Sequence, residues 1–197
     1  MLTNKTIDTL IIGAGFAGMY ALYKQITDGF TSEIYEQGDG VGGTWYWNRY
    51  PGARCDIESM DYSYSFSEEL QQEWNWKQKY GTQPELLNYA NYVCEKFDLK
   101  KNINFNTRIT KAKFNKKTDK WLVETSKKEL IECKYLILAT GNLSTPNTPN
   151  IKGIKNFKGN IYHTGAWPKK MPDFNGRTVG VIGTGSSGVQ SIPIICL

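Results

Sequence analysis

The chain has 197 residues, 40% of them hydrophobic, 13% aromatic and 22% charged, a size that suits one large globular domain or one domain and part of another. Its net charge of +5 is spread thinly, with solvated lysines between Lys96 and Lys134 and no basic block of the kind that makes a nucleic-acid-binding arm. His163 is the only histidine and Cys55, Cys94, Cys133 and Cys196 form no C-x-x-C pair, which argues against His-rich metal sites, Ser-His-Asp hydrolysis, dithiol redox centres and zinc knuckles.

The N-terminal MLTNKTIDTL lacks the apolar core of a signal peptide. No apolar run reaches the roughly 18 residues of a membrane span. A soluble, reducing, cytoplasmic protein is expected, with neither nucleic acid nor membrane as partner.

In DTLIIGAGFAGMYALYKQI, Leu10 to Ile12 read as a buried strand, Gly13, Gly15 and Gly18 make G-x-G-x-x-G, and Met19 to Ile26 continue as a helix. SEIYEQ follows as a second strand ending in Glu36. A lone G-x-G-x-x-G is weak evidence. Here it follows a strand, opens a helix and meets an acidic residue about 20 positions later, as a dinucleotide fingerprint requires. Gly13 allows the tight turn, Gly15 lets a pyrophosphate approach the backbone, and Gly18 lets helix pack on strand. The helix N-terminus presents free N–H groups to the phosphates, and Glu36 accepts from ribose hydroxyls.

GGTWYWNRYPGARCD, Gly42 to Asp56, carries too many glycines for a core strand and too much aromatic surface for a solvent loop. TQPELLNYANYVCEKFDL then predicts a helix, with Leu86, Ala90, Val93 and Phe97 on one face. The next segment predicts a β-meander with turns at Lys117 to Lys120 and Ser126 to Lys128, inserted before a final parallel strand, Tyr135 to Leu138. NLSTPNTPN is a linker. RTVGVIGTGSSGVQSI repeats the opening grammar, with Val179 to Ile182 as the strand and Gly183, Gly185 and Gly188 as a second G-x-G-x-x-G. Two such fingerprints suggest a flavin and a nicotinamide nucleotide facing one another.

FKGNIYHTGAWP fits F-x-G-x-x-x-H-x-x-x-W-P through Phe157, Gly159, His163, Trp167 and Pro168. This motif resembles the fingerprint of type I Baeyer–Villiger monooxygenases, the cyclohexanone monooxygenase family, and GGTWYWNRYPGARCD looks like the same family's loop over the flavin. The resemblance runs from Ile7 to Gln190. It implies an α/β fold: a Rossmann-like FAD-binding domain with an inserted β-meander at 1–141, a linker at 142–150, and the beginning of a second Rossmann, NADP-binding domain at 151–197.

By the same resemblance, Gly13, Gly15, Phe16, Ala17, Gly18, Glu36, Gly43, Thr44, Trp45, Asp56, Tyr62 and the backbone near Ile109 contact FAD. Arg54 and Cys55 beside Asp56, and Thr184, Gly185, Ser186, Ser187, Gly188, Val189 and Gln190, meet NADPH. Phe157, Gly159, His163 and Trp167 belong to the hinge between domains. Tyr46 and Trp47 are open between ordinary packing and a site role.

The implied reaction has NADPH reduce FAD, which combines with O2 to a C4a-peroxide that attacks a ketone and gives an ester or lactone. Asp56 orients a catalytic arginine, and no arginine follows Arg177. Family members are more than twice this long, so an N-terminal fragment, a truncated product or one half of a split enzyme is expected. The alternatives are an amine- or sulfide-oxidising flavin monooxygenase, disfavoured by Trp167-Pro168, a pyridine nucleotide–disulfide reductase, disfavoured by the absent dithiol, and a non-catalytic FAD-binding module.

Overall fold

Leu10 and Ile11 point to opposite faces of a strand, and both are fully buried in the computed structural model, which describes residues 4–196. A strand covered on both faces belongs in the middle of a sheet. That strand, β1 (Asn4–Ile12), lies between β2 (Ser32–Tyr35) and β6 (Leu130–Leu138), parallel to both. The sheet order is β3-β2-β1-β6-β5-β4, where β3 is Ile103–Asn104, β4 Ile109–Asn115 and β5 Lys120–Thr125.

The helices are α1 (Phe16–Thr27), α2 (Thr44–Trp47), α3 (Glu68–Glu73), α4 (Gln83–Lys96) and α5 (Ser186–Ile195). By compactness the chain divides into Met1–Gly43 with Asn88–Gly141, and Thr44–Leu87 with Asn142–Leu197. This division groups the aromatic segment 44–87 with 142–197, whereas the sequence reading set its boundary after residue 141.

In the first unit, Met19 and Leu22 of α1 and Ala90 and Cys94 of α4 form one buried cluster with Ile11 and Ile34 of the sheet. A second cluster joins Ile7, Leu10 and Tyr35 to Val123, Ile131 and Cys133. The meander is present, with one difference from expectation. Its third strand is not followed by a separate parallel strand: β6 starts at Leu130, pairs antiparallel with β5 and, along its length, parallel with β1.

The second unit carries α2, α3, α5 and an isolated antiparallel bridge between Arg54 and Thr82. The expected strand at 179–182 does not form there. No strand pairs with it among the described residues, and Val179, Val181 and Ile182 are 40%, 43% and 84% exposed. An apolar run is strand-like only where a second strand completes its ladder.

Candidate functional site

The first glycine loop is shaped by backbone contact. Gly13 has φ +103°, and a Cβ there would lie 2.6 Å from the Ala139 carbonyl oxygen. A Cβ at Gly18 would lie 1.9 Å from the Gly13 carbonyl oxygen, so α1 sits flush against the end of β1. Gly15 is different. It caps α1 at φ −79° and ψ −174° with no side-chain hydrogen bond, and a Cβ on it would meet Gly43 Cα at an ordinary 3.5 Å. Among the described residues, nothing requires glycine at position 15.

Glu36 is 5% exposed. Its carboxylate accepts from the Ala14 N–H at 2.8 Å and from the Gly38 N–H at 2.7 Å. The Ala14 carbonyl in turn accepts from the Gly42 N–H at 2.9 Å. Glu36 thus fastens the glycine loop to the residues after β2, and two of its roughly four acceptor positions are left over. The Glu36 carbonyl accepts from the Thr107 N–H at 2.8 Å, which brings the chain leading to Ile109 alongside. Ile109 itself packs on the second cluster. Gly43, at φ +54°, completes the cradle: a Cβ there would come within 2.8 Å of Gly15 Cα. Phe16 lies half-buried and Ala17 exposed in the first turn of α1.

In the second unit, Thr44 to Trp47 close one helical turn within the segment expected to be a loop. Trp45 is 7% exposed, and its indole N–H donates at 3.0 Å to the Tyr62 hydroxyl, with the two rings edge-on at 87°. The Gln83 amide donates to the Trp45 carbonyl. Burial pushes the Tyr62 phenol above its ordinary pKa, and the Trp45 bond partly opposes this. Tyr46 and Trp47 pack edge-on with centroids 4.8 Å apart, and Arg49 lies over the Tyr46 ring.

Residues 53–55 are extended. The Cys55 N–H donates to the Gly81 carbonyl at 2.9 Å and the Gln83 N–H to the Ala53 carbonyl at 2.8 Å. Strand-like alternation exposes Arg54 and Asp56 and buries Cys55 between them. Burial also raises the Cys55 thiol pKa, which disfavours the reactive thiolate.

The second glycine loop repeats the first. Gly183 has φ +116°, a Cβ at Gly188 would lie 2.8 Å from the Gly183 carbonyl oxygen, and Gly185 caps α5 at φ −77° and ψ −178° with no side-chain bond. Thr184, Gly185, Ser186 and Val189 are exposed, and Ser187 is half-buried. Gln190 turns back: its Oε1 accepts from the Tyr50 hydroxyl at 2.9 Å and the Arg54 N–H at 3.3 Å, and its Nε2 donates to the Arg54 carbonyl at 3.1 Å. Tyr50 was not singled out from the sequence. Nor was Gly52, whose φ of +75° and empty Cβ position, 2.2 Å from the Gln190 carbonyl oxygen, seat α5. The Pro51-Gly52 turn was the available signal.

His163 Nδ1 accepts from the Gly165 N–H at 3.0 Å, and Nε2 faces the Asn147 carbonyl at 3.2 Å. Both ring nitrogens are used by backbone, capping the short turn Thr164–Ala166. Trp167 packs against Tyr162 and Phe174, while Phe157 is 62% exposed with its ring beside Gly159.

Each unit thus carries one dinucleotide-type loop, the two are alike in conformation, and the cysteines are unpaired. Residues 10–192 match the family described as pyridine nucleotide-disulphide oxidoreductase. The chain belongs to that family. Its four cysteines are free.

A Baeyer-Villiger monooxygenase of Pseudooceanicola batsensis is 48% identical over 94% of this chain and 34% of its own length. A phenazine N-monooxygenase of Lysobacter antibioticus is 46% identical over 94% of this chain and 34% of its own. A solved structure, an oxidised steroid monooxygenase bound to NADP, superposes with TM-score 0.92 at 52% identity, covering 97% of this chain and 37% of that one. The resemblance to Baeyer–Villiger monooxygenases read from the two long motifs therefore holds across the chain, which spans about a third of the length of the curated relatives it matches. Among the described residues, no helix is long and apolar enough to cross a membrane and no cluster of His, Cys, Asp and Glu could hold a metal ion.

Proposed function

We propose that this chain is the FAD-binding part, with the start of the NADP-binding part, of a Baeyer–Villiger-type monooxygenase that uses NADPH and O2 to convert a ketone into an ester or lactone. Residues 1–141 form the FAD domain, 142–150 the linker and 151–197 the opening of the NADP domain. One observation carries the reading. Gly15 and Gly185 cap their helices with near-identical dihedrals and no side chain, so no capping side chain stands between either helix N-terminus and an anion.

The residues present fit a flavin dinucleotide. The cradle of Gly13, Gly15, Gly18 and Gly43 gives the pyrophosphate a backbone wall with no Cβ in the way, with Phe16 and Ala17 in the first turn. Glu36 has acceptor capacity left for ribose. Thr44, Trp45 and Tyr62, the last two joined by the Trp45–Tyr62 bond, would meet the flavin nucleotide, as would the backbone near Ile109. Thr184, Gly185, Ser186, Ser187, Gly188 and Val189 bind the nicotinamide nucleotide with Arg54 and Cys55. Asp56, exposed beside them, would orient a catalytic arginine. Phe157, Gly159, His163 and Trp167 form the hinge, with His163 holding backbone rather than moving a proton. The bound flavin supplies acceptance of hydride from NADPH and activation of O2. The four free thiols support a reducing, cytoplasmic setting.

The phenazine N-monooxygenase relative favours a second reading, oxygenation of a nitrogen or sulfur centre in place of a ketone. The coverage of about a third of each relative keeps a third, a non-catalytic FAD-binding module. NADPH consumption and product analysis with cyclic and linear ketones, amines and sulfides separate these. This chain alone is expected to reduce bound flavin slowly and release hydrogen peroxide. Ester formed above the no-enzyme control and lost in Asp56→Ala would place the full reaction within these residues. Absence of NADPH-dependent flavin reduction would favour the binding module.

A further inference from the structure

We propose that Gln190 is a positioning residue whose carboxamide acts as a one-residue β-strand, closing the open edge of Arg54 and tying residues 54–56 to the second glycine loop. The proposal rests on the reading that this segment meets the nicotinamide nucleotide.

In an extended chain the N–H and C=O of one residue face the same side, and those of its neighbours face the other. Around Arg54 one side is already used. The Ala53 carbonyl and the Cys55 N–H are bonded to the Gln83 N–H and the Gly81 carbonyl, the isolated bridge to Thr82. The N–H and C=O of Arg54 itself face the opposite edge, where a sheet would place its next strand. Among the described residues no strand lies there. Gln190 does, offering one acceptor to the Arg54 N–H at 3.3 Å and one donor to the Arg54 carbonyl at 3.1 Å, the same complement a strand residue provides.

Two further contacts fix the arrangement. The Arg54 N–H and carbonyl set which end of the amide is oxygen, and the Tyr50 hydroxyl donates to the same Oε1 at 2.9 Å. Gly52 admits the Gln190 backbone where any Cβ would lie 2.2 Å from its carbonyl oxygen. A methionine fills the same volume with neither partner, and a glutamate sets an acceptor against the Arg54 carbonyl. The Gln190 oxygen and one of its two N–H groups are therefore committed to this chain's own Tyr50 and Arg54. Gln190 holds exposed Arg54 and Asp56 in register with the N-terminus of α5.

Residue-resolved amide hydrogen exchange on the purified chain, without nucleotide, tests the clamp. In Gln190→Met the Arg54 amide should exchange roughly tenfold faster or more, the loss of one such bond, while the Cys55 and Gln83 amides keep wild-type rates. Tyr50→Phe, which leaves both Arg54 bonds in place, should keep Arg54 protected. An unchanged Arg54 rate in Gln190→Met overturns the proposal. If that variant does not fold, the wild type decides: carboxamide protons of Gln190 that exchange slowly uphold the clamp, and exchange at the rate of an exposed glutamine overturns it. Calorimetric titration with NADP+ reads the functional half. Affinity should fall about tenfold in Gln190→Met with FAD binding unchanged, and equal affinity overturns the positioning role. A wild type that binds no NADP+ refutes the nucleotide reading, and the exchange pattern still judges the clamp.

Discussion

Replacing Glu36 by Gln tests whether this carboxylate is a structural fastener before it is a ligand. Its two oxygens accept from Ala14 at 2.8 Å and Gly38 at 2.7 Å while the side chain is 5% exposed. An amide has one oxygen, so one of those N–H groups would face an NH2 donor and lose its acceptor. The lost charge-assisted bond is worth about 1.5–3 kcal/mol, and the surviving bond weakens by about half as its acceptor becomes neutral. A total near 3 kcal/mol is a large share of the roughly 5–15 kcal/mol that holds a domain together. At about 2–4 °C per kcal/mol for a chain of this size, thermal unfolding followed by circular dichroism should shift down by roughly 6–12 °C with no FAD present. FAD affinity should also fall about tenfold through the weakened ribose contact. A variant that melts within about 2 °C of wild type would refute the fastening role that the Ala14 and Gly38 bonds assign to Glu36.

Gly18→Ala should destabilise by on the order of 3 kcal/mol, measured by urea unfolding, because its Cβ meets the Gly13 backbone at 1.9 Å and no side chain can yield. Of the four thiols, Cys196 alone is exposed, so a thiol reagent should label one cysteine in the native chain and all four in denaturant. Burial raises the Cys133 thiol from 9.0 to about 11; the unfolded chain then ionises first, and stability should fall as pH rises from about 9 to about 11. Cys133→Ala should flatten that slope in denaturation curves taken across the window. His163→Gln keeps an acceptor for the Gly165 N–H and a donor for Asn147, so its melting temperature should match wild type, while His163→Leu loses both and should melt lower.

The first unit was largely legible because each signal was local. The apolar run of β1, the glycines and Glu36 lie within one strand-turn-helix-strand unit, and their spacing carries their geometry. The second unit was less so. Ser67 before Glu68 and Glu69 is a readable helix start, and Ser67 does accept from the Leu70 N–H at 3.2 Å, yet α2 and α3, 4 and 6 residues long, are too short to show a helical period. Residues 179–182 have strand composition and no partner, and composition does not report partners. Gln190 and Arg54 are 136 positions apart, and nothing in either neighbourhood encodes a bond between a side-chain amide and a distant peptide. Glu36 was read as a ribose ligand from spacing alone; its bonds to Ala14 and Gly38 became visible only with the loop's backbone in place.

Gly15→Ala tests the central claim, that the first glycine loop holds FAD. The backbone of Gly15 suits any residue, and the added Cβ would meet Gly43 Cα at an ordinary 3.5 Å, so the variant should fold with wild-type stability. If the loop holds FAD as proposed, the methyl group takes up the space a pyrophosphate needs at the N-terminus of α1. In a fluorescence titration with FAD, the wild type should bind and quench the flavin, and Gly15→Ala, with an unchanged melting temperature, should lose that binding. Equal FAD affinity in the two proteins, or no binding by wild type, would contradict the account.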